Sequence, residues 1–279
     1  MIRKETAQLE LLIEPNRPAL HYWRDVWSYR ELLWFLVWRD ILVRYKQTAI
    51  GVAWSVIRPL VTMLAFTVVF GLLAKLPSNG VPYPLLVFAA MLPWNFFANA
   101  LSESSSSLIG NANLLTKVYF PRIIIPVSSI VASMIDFAIS LVIMTGIMLW
   151  YSYQPDWRVV TLPLFLLLAF LPVAGAGLWF SALNVKYRDF RYVVPFMLQF
   201  GLYVSPVGFA SSIVPEKWRL LYALNPMVGV IDGFRWALLN GSVELNFPGM
   251  ALSTALSLVL LMTGLWFFRK SERILADVI

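Results

Sequence analysis

The ionisable residues that could do chemistry are few, and they lie in short clusters between long apolar stretches. The densest cluster is NVKYRDFRYVVPF, residues 184–196. Its charged members are Lys186, Arg188, Asp189 and Arg191. The rings of Tyr187, Phe190 and Tyr192 are interleaved with these charges, which favours a short amphipathic element that contacts something over a purely solvated loop.

A single carboxylate, Asp136, lies within the apolar stretch SSIVASMIDFAIS. A carboxylate at membrane depth is costly, and it indicates a proton relay, an acceptor for a polar substrate, or a structural hydrogen bond. Ser133, Ser140 or a facing helix could supply that structural bond. A proton-coupled carrier usually needs several ionisable groups along a path, so the structural role is favoured.

The sequence lacks the residues that most other chemistry would need. It has no cysteine, its one histidine is His21, and no Gly-Lys pair is present that could form a Walker A loop. Neither an H-E-x-x-H motif nor a G-x-S-x-G elbow occurs. We therefore expect no catalytic residue, no metal site and no bound cofactor in this chain.

The composition places these residues in a membrane protein. Of 279 residues, 59% are hydrophobic and only 13% are charged, whereas soluble domains average about 25% charged residues. The mean hydropathy is +0.73. Several apolar runs exceed the roughly 18 residues that mark a spanning helix, and they do not alternate as barrel strands do. The predicted fold class is an all-α polytopic membrane protein.

Hydropathy predicts six transmembrane helices, at residues 60–76, 83–101, 123–151, 159–183, 192–214 and 250–268. They belong to a transmembrane domain that covers residues 49–279. Residues 1–28 are predicted to be a cytosolic segment without a signal peptide. Residues 29–48 repeat apolar side chains at helical spacing, which predicts an amphipathic helix in the membrane interface. A cytosolic helix that packs on the protein itself is the alternative.

Basic residues set the orientation. An even number of spans puts both termini on one side, and Lys and Arg gather in the segments that a cytoplasmic N-terminus would leave inside. The net charge of +7 is thus explained by membrane topology rather than by nucleic-acid binding. Both termini and the 184–191 loop are predicted to be cytoplasmic.

Two further segments are unusual for loops. After the serines of residues 102–107, LLTKVYFPR predicts a short cytoplasmic helix that ends by Pro121. Residues 214–241 are too apolar for a solvated loop and too broken for a span. Pro215 and the pair Asn225-Pro226 can each begin a short helix, and Gly241 can close the second. We expect two short re-entrant helices on the outer side, before the last span.

Aromatic residues make up 15% of the chain, with several inside the predicted spans. Aromatic faces suit stacking against sugar rings, while lipid-facing bulk and helix packing are the competing explanation. Composition alone favours neither interpretation over the other. The candidate pathway residues are Phe66, Phe70, Asp136, Phe200 and Tyr203.

Six motifs together resemble one family. They are RELLWFLVWRDILVRYKQTAIGVAWSVIRPL, LPWNFFANAL, SLIGNANLLTKVYFPRIIIP, ALNVKYRDFRYVVPF, SPVGF and LNPMVGVIDGFRWAL. This combination is similar to the permease subunits of polysaccharide exporters in the ABC type-2 family, which move O-antigen lipopolysaccharide, capsule or teichoic acid polymers. The resemblance covers residues 29–273.

The resemblance implies a homodimer in the bacterial inner membrane, paired with two copies of a cytosolic ABC ATPase that binds ATP and Mg. Its substrate would be a polyprenyl-linked polysaccharide, with O-antigen favoured. ATPase coupling would fall to Lys117, Tyr119, Lys186, Tyr187, Arg188, Asp189 and Arg191. An outer gate over residues 214–241 would use Trp218, Tyr222, Asn225, Pro226, Asp232 and Arg235.

Two alternatives remain at this point. A permease of the same family for a drug, haem or small lipid would be favoured by large extracytoplasmic domains, but the predicted outer loops are short. A membrane-embedded glycosyl- or acyltransferase needs clustered acidic residues or histidine near the membrane surface. The lone Asp136 and the remote His21 argue against it.

Overall fold

The structure, a computed structural model, describes residues 19–46 and 49–278, and the side chains of residues 22–46 and 53–272. Most of the predicted cytosolic segment, residues 1–18, lies outside the described residues. Within them, every regular element is helical. The helices are α1 (Ala19–Ser28), α2 (Arg30–Lys46), α3 (Ala49–Phe66), α4 (Tyr83–Gly110), α5 (Ala112–Lys117), α6 (Ile124–Ala132), α7 (Met134–Trp150), α8 (Leu162–Lys186), α9 (Phe190–Val204), α10 (Glu216–Tyr222), α11 (Pro226–Leu238) and α12 (Phe247–Val278).

Five stretches in the described part are long and apolar enough to cross a membrane. They are Ala53–Leu73, Tyr83–Gly110, Ile124–Trp150, Trp157–Lys186 and Phe247–Glu272. The all-helical membrane fold is therefore confirmed, but the count of six spans is not. In the remaining predicted span, 192–214, the α-helix is α9, whose 15 residues extend about 22 Å against a hydrocarbon core of about 30 Å. A short 3₁₀ turn, Ser211–Ile213, follows it.

The loop predicted at residues 184–191 is shorter than expected, and the segment after the serines of residues 102–107 forms a short helix. Helix α8 continues through Lys186 and α9 begins at Phe190, so only residues 187–189 connect them. Lys186 complements the partial negative charge at the end of α8, which favours this extension. The helix predicted from LLTKVYFPR is α5, and it ends at Lys117 because Val118 is already extended.

Helix α2 packs on the protein itself, as the alternative for residues 29–48 predicts, and its exposed side stays compatible with the interface. Leu36 and Val37 are buried, and Leu36 packs with Phe120 and Ile124 in one apolar cluster. Trp34 and Trp38 are exposed. One side of α2 therefore packs on the protein, while its tryptophans are free to contact headgroups. The last two residues of the predicted range, 47 and 48, lie outside the described residues.

Helices α8 and α12 approach closely at glycines. A Cβ atom added to Gly175 would lie 2.6 Å from the carbonyl carbon of Leu260, and one added to Gly264 would lie 2.4 Å from the Gly175 oxygen. One turn further along, the rings of Trp179 and Phe267 stack with centroids 3.9 Å apart. Small residues permit such close backbone packing between membrane helices.

One end of the molecule is built from the parts that carry the basic clusters. Its apolar cluster brings together α2, the end of α4, α5, the start of α6 and the ends of α8 and α12. Its buried members include Leu36, Leu108, Phe120, Leu178 and Phe268. We call this the basic end, since Lys117, residues 186–189 and Arg191 are exposed beside it.

Replacing Gly175 with alanine should lower the stability of the helix bundle by about 1–3 kcal/mol, as overpacking does elsewhere. The added methyl group must push α8 away from the α12 backbone. The measurement is the thermal unfolding midpoint of the purified protein in detergent, followed by tryptophan fluorescence.

The matched control is Gly146→Ala, because a Cβ there would meet no atom within 4 Å. Alanine also has the higher helix propensity, so this variant should match or slightly exceed the wild-type midpoint. Equal midpoints for the two variants would contradict the α8–α12 contact.

Candidate functional site

After α9 the chain is irregular yet buried. We call residues 205–210 the bent segment; Ser205, Val207 and Ala210 in it are fully buried. Buried backbone outside a helix leaves carbonyl and amide groups without intrahelical partners, and each unpaired group is costly. The bent segment therefore needs partners from elsewhere in the fold.

Side chains of α4, α10, α11 and the residue before α11 bond the bent segment and the residue that precedes it. The Tyr222 hydroxyl donates to the Val204 carbonyl at 2.8 Å, and the Asn225 amide donates to the Ser205 hydroxyl at 2.8 Å. The Tyr83 hydroxyl donates to the Gly208 carbonyl at 2.7 Å. We call Tyr83, Tyr222, Asn225 and Arg235 the polar bracket, and the end of the molecule that holds them the bracketed end.

Arg235 is the central member of the polar bracket and is fully buried. Its guanidinium donates to the Val207 carbonyl at 3.0 Å, the Phe209 carbonyl at 2.8 Å and the Leu86 carbonyl at 3.0 Å. One side chain thus joins α11 to α4 and to the bent segment. The planar fork of a guanidinium suits several fixed acceptors, which an ammonium group cannot match.

Asp232 lies one turn before Arg235 on α11, a helix of 13 residues that is too short to span a membrane. Burial raises the pKa of Asp232 to about 6, although a hydrogen bond from Ser211 and the charge of Arg235 oppose the rise. Burial lowers the pKa of Arg235 to about 10, so its guanidinium stays charged at neutral pH. The Oδ1 atom of Asp232 is buried and has no hydrogen-bond partner among the described residues.

The sequence explains the two short helices at this end. Pro215 precedes α10, and Pro226 is the first residue of α11, where its missing N–H costs nothing. The Asn225 side chain caps α11 by accepting from the Met227 amide at 3.0 Å. Beyond α11, Asn240 and Gly241 have positive φ and turn the chain. Both helices occur where the prolines predicted them.

Most of the predicted gate residues converge on one place. Tyr222, Asn225, Asp232 and Arg235 all lie at the bent segment or beside its partners, and Pro226 begins α11. Trp218 lies apart, with 51% of its side chain exposed. Tyr83 belongs to the same bracket, and its place at the start of an apolar span gave no sequence signal for this role.

The predicted coupling residues share the basic end. All seven are exposed: Lys117, Tyr119, Lys186, Tyr187, Arg188, Asp189 and Arg191. Leu114 and Leu115 of α5 pack in the same cluster as Val185 of α8, which brings the two groups together. The Lys186 ammonium lies 5.0 Å from the Tyr187 ring centre. The result is a charged and aromatic surface that can bind a partner.

The aromatic pathway candidates lie on two helical segments that meet where the Phe66 and Tyr203 rings approach to a centroid distance of 6.2 Å. Phe66 is buried and packs edge-to-face on Phe70 with centroids 5.5 Å apart. Phe200 and Tyr203 are exposed on α9. With Tyr192 and Phe196 they form one exposed strip along the helix, which we call the α9 aromatic face. The rings of Phe196 and Phe200 are nearly parallel, at an interplanar angle of 12°.

Asp136 finds its partners on a facing helix, which was one of the structural alternatives. Arg44 forms an ion pair with its carboxylate, and the Tyr45 hydroxyl donates to it. Arg44 also pairs with Glu103 of α4 at 3.2 Å. The expected partners Ser133 and Ser140 are not those the carboxylate uses. The described contacts give Asp136 a place in a network that ties α2 to α4 and α7.

The described residues contain no group of three or more histidine, cysteine, aspartate or glutamate side chains that could hold a metal ion. What the two ends offer is binding: hydrogen bonds and buried charge at the bracketed end, exposed charge and rings at the basic end.

The sequence of this chain is similar to one transporter family and to several known proteins. The ABC-2 type transporter family matches residues 31–239. An O-antigen export system permease protein RfbA of Myxococcus xanthus is 30% identical over 258 residues, which is 92% of this chain and 98% of that protein. An RfbA of Klebsiella pneumoniae is 27% identical over 89% of this chain and 95% of its own length. The polysialic acid transport protein KpsM of Escherichia coli is 23% identical over 84% of this chain and 91% of its own length.

Arg235→Lys should destabilise the protein although it keeps the charge. Lysine has a shorter overall reach and a single nitrogen, so it cannot donate to carbonyls on α4 and on the bent segment together. Each buried acceptor left unpaired costs about 1–3 kcal/mol. The expected result is a lower thermal unfolding midpoint and a lower yield of folded protein.

Arg24→Lys is the matched control, because Arg24 is exposed on α1 and the same exchange there should leave the midpoint unchanged. A wild-type midpoint for Arg235→Lys would show that the bent segment does not depend on the guanidinium.

Proposed function

Since the chain belongs to the ABC-2 type transporter family, we propose that it is the permease subunit of an ATP-driven exporter whose cargo is a polyprenyl-linked polysaccharide of the O-antigen class. The observation that carries the proposal is the similarity to the RfbA permeases over nearly the whole length of both proteins. The comparison with the Myxococcus protein covers 92% of this chain, so it includes most of the spans and loops.

The proposed topology has six crossings in the bacterial inner membrane, with both termini cytoplasmic. Helix α9 begins beside the basic end and leads into the bent segment, which Tyr83 contacts from the opposite end of α4. Together α9 and the bent segment thus connect the two ends, which supports a sixth crossing despite the short helix. The positive-inside rule places the basic end in the cytoplasm.

In this topology α10 and α11 re-enter the membrane from the outer side. The Ser253 hydroxyl, in the second turn of α12, donates to the Ala223 carbonyl between α10 and α11 at 2.9 Å. At the other end of α11, the Asn240 amide donates to the Gln154 carbonyl in the loop before α8. The connection between the short helices therefore lies deeper than their far ends. Its irregular backbone is buried against protein, as such a position requires.

Energy for transport would come from a separate subunit. The sequence has no Walker A loop, so ATP and Mg would be bound by two copies of a cytosolic ABC ATPase serving a homodimer of this chain. The exposed charges of residues 186–191 and Lys117 offer the ATPase a docking surface. Helix α9 starts within this surface and ends at the bent segment, which gives partner movements a direct route to the gate.

The glycan would pass along the α9 aromatic face. Its four rings are each at least half exposed, and sugar rings can stack on them without a fixed register. A second copy of the chain would cover this face and enclose the path, with the polar bracket closing its outer exit. Asp136 is ion-paired, so it serves this path as a structural residue rather than as a proton relay.

The two alternatives have less support. A transferase would need a cluster of acidic or histidine side chains, and the described residues hold none of three or more. A permease for a drug, haem or small lipid would share the family and the fold. The names of the RfbA and KpsM relatives favour a polysaccharide instead.

The proposal is tested by purifying the tagged full-length chain gently from its native host and identifying its partners by mass spectrometry. We expect a stoichiometric ABC ATPase, and we expect deletion of the gene to abolish surface display of the polymer. A chain that arrives alone and moves lipid-linked sugar in liposomes without ATP would overturn the proposal.

The docking surface is tested by Arg188→Glu combined with Asp189→Arg, which inverts the local charge pattern without changing the net charge. We expect about tenfold weaker ATPase association, equivalent to ~1.4 kcal/mol, because like charges would now face each other. Affinity capture of the partner from detergent extracts measures this.

Lys217→Glu provides a charge reversal on exposed α10, outside the basic end. It should leave ATPase capture at the wild-type level. Undiminished capture by the double variant would remove residues 188 and 189 from the docking surface.

A further inference from the structure

A separate cavity of about 340 Å³ lies at the bracketed end. Its walls come from the loop before α4, the chain after the bent segment, α10, α11 and the loop that leads into α12. The side chains used in the argument below are Asp232, Ser242, Glu244, Arg219, Tyr222 and Met250. Ligand sites of known proteins occupy about 300–1,000 Å³, so this cavity suits one small ring rather than a chain.

Two buried polar atoms in the wall lack partners. The Oδ1 atom of Asp232 and the hydroxyl of Ser242 are both buried without a hydrogen-bond partner among the described residues. Asp232 is only 5% exposed as a residue. A buried carboxylate oxygen without a donor is costly, and the cavity that Asp232 lines has space for a ligand that supplies one.

The two arginines in or beside the cavity wall already have hydrogen-bond partners. Arg235 is committed to three backbone carbonyls. Arg219 donates to the Val214 carbonyl at 3.0 Å and to the Ser212 carbonyl at 3.3 Å. The carboxylates of Asp232 and Glu244 add acceptor oxygens to the wall, which favours a ligand that offers hydroxyl donors.

We propose that this cavity binds one neutral sugar unit of the exported polysaccharide as the chain leaves the pathway; the source of the sugar rests on the proposed function. Sugar hydroxyls donate to the free oxygen of Asp232 and to Ser242. The side chains of Tyr222 and Met250 present apolar surface to the C–H faces of the ring.

Other ligands fit the walls less well. An acidic group or a phosphate would bring further acceptors to Asp232 Oδ1 instead of the donor that this oxygen lacks. A divalent cation would want several oxygen ligands, and the described residues provide no cluster of three acidic or histidine side chains. An acyl chain suits the apolar groove between α4, α8 and α9, which is lined by Trp94, Phe97 and Phe180, rather than this polar wall.

The test uses the full-length protein in lipid nanodiscs and saturation-transfer NMR. The probes are methyl α-D-mannopyranoside and methyl α-D-glucopyranoside as neutral sugars, and methyl β-D-glucuronide as the acidic comparison. We expect at least one neutral probe to bind and the glucuronide to bind more weakly. Asp232→Asn should weaken the neutral probe about tenfold, as expected when a hydrogen bond to a charged group is lost.

Ser242→Ala is the second variant, since it removes a partnerless hydroxyl and keeps the test decisive if Asp232→Asn does not fold. Glu216→Gln makes the same carboxylate-to-amide change at an exposed residue outside the cavity wall, so this variant should bind the probes like the wild type. The same variants are then compared for surface polymer in a host that lacks the chromosomal gene. We expect Asp232→Asn and Ser242→Ala to alter the amount or the length of the displayed polymer.

The outcomes separate this inference from the proposed function. If the wild type restores polymer display but neither neutral probe binds, or both variants bind like the wild type, the sugar site is overturned and the exporter stands. If sugar binding is lost in the variants while display is unchanged, the ligand is not the exported chain and the inference also fails. A wild type that restores no polymer and captures no ATPase would instead overturn the exporter.

Discussion

The bracketed end depends on one constraint, which is that the buried carbonyl groups of the bent segment must be hydrogen-bonded. A helix would satisfy them internally, but the chain leaves helical geometry at Ser205. Arg235 meets the requirement by bonding two of these carbonyls, and it also bonds a third on α4. The positions of α11, α4 and the end of α9 are thereby fixed together. The buried guanidinium in turn requires its carbonyl partners, because an unpaired charge in this interior would cost more than any packing gain.

The sequence predicted the local elements well and their long-range partners poorly. Pro215 and Asn225-Pro226 mark helix starts through effects within a few residues, and α10 and α11 begin there. Arg235 stands out as a charge among apolar residues, but its acceptors are backbone carbonyls, and one of them, on Leu86, is 149 positions away. No side-chain pattern encodes such a partner. The sixth predicted span is not confirmed, for a related reason. Hydropathy registers apolar content but not helix ends, and apolar residues continue through 205–214 after α9 has ended.

The two ends of the molecule use charge in opposite ways. At the bracketed end Arg235 is wholly enclosed, so its contribution is geometric and little affected by salt. At the basic end the coupling residues are exposed, and their interactions with a partner would weaken as ionic strength rises. Helix α9 connects these regions with 15 residues of continuous helix. A helical connector of this kind can transmit displacement rather than charge, which suits the permease role proposed above.

The network of Arg44, Tyr45, Asp136 and Glu103 has a consequence for biosynthesis. Arg44 precedes Asp136 by 92 positions, so α2 leaves the ribosome well before its anchoring carboxylate has been made. Glu103 becomes available earlier than Asp136, and both lie on helices that must first be inserted in the bilayer. Until then the arginine is better hydrated at the membrane surface than placed in the apolar interior. Docking of α2 is therefore a late step of assembly, and it locks α4 and α7 in place only after both have been inserted.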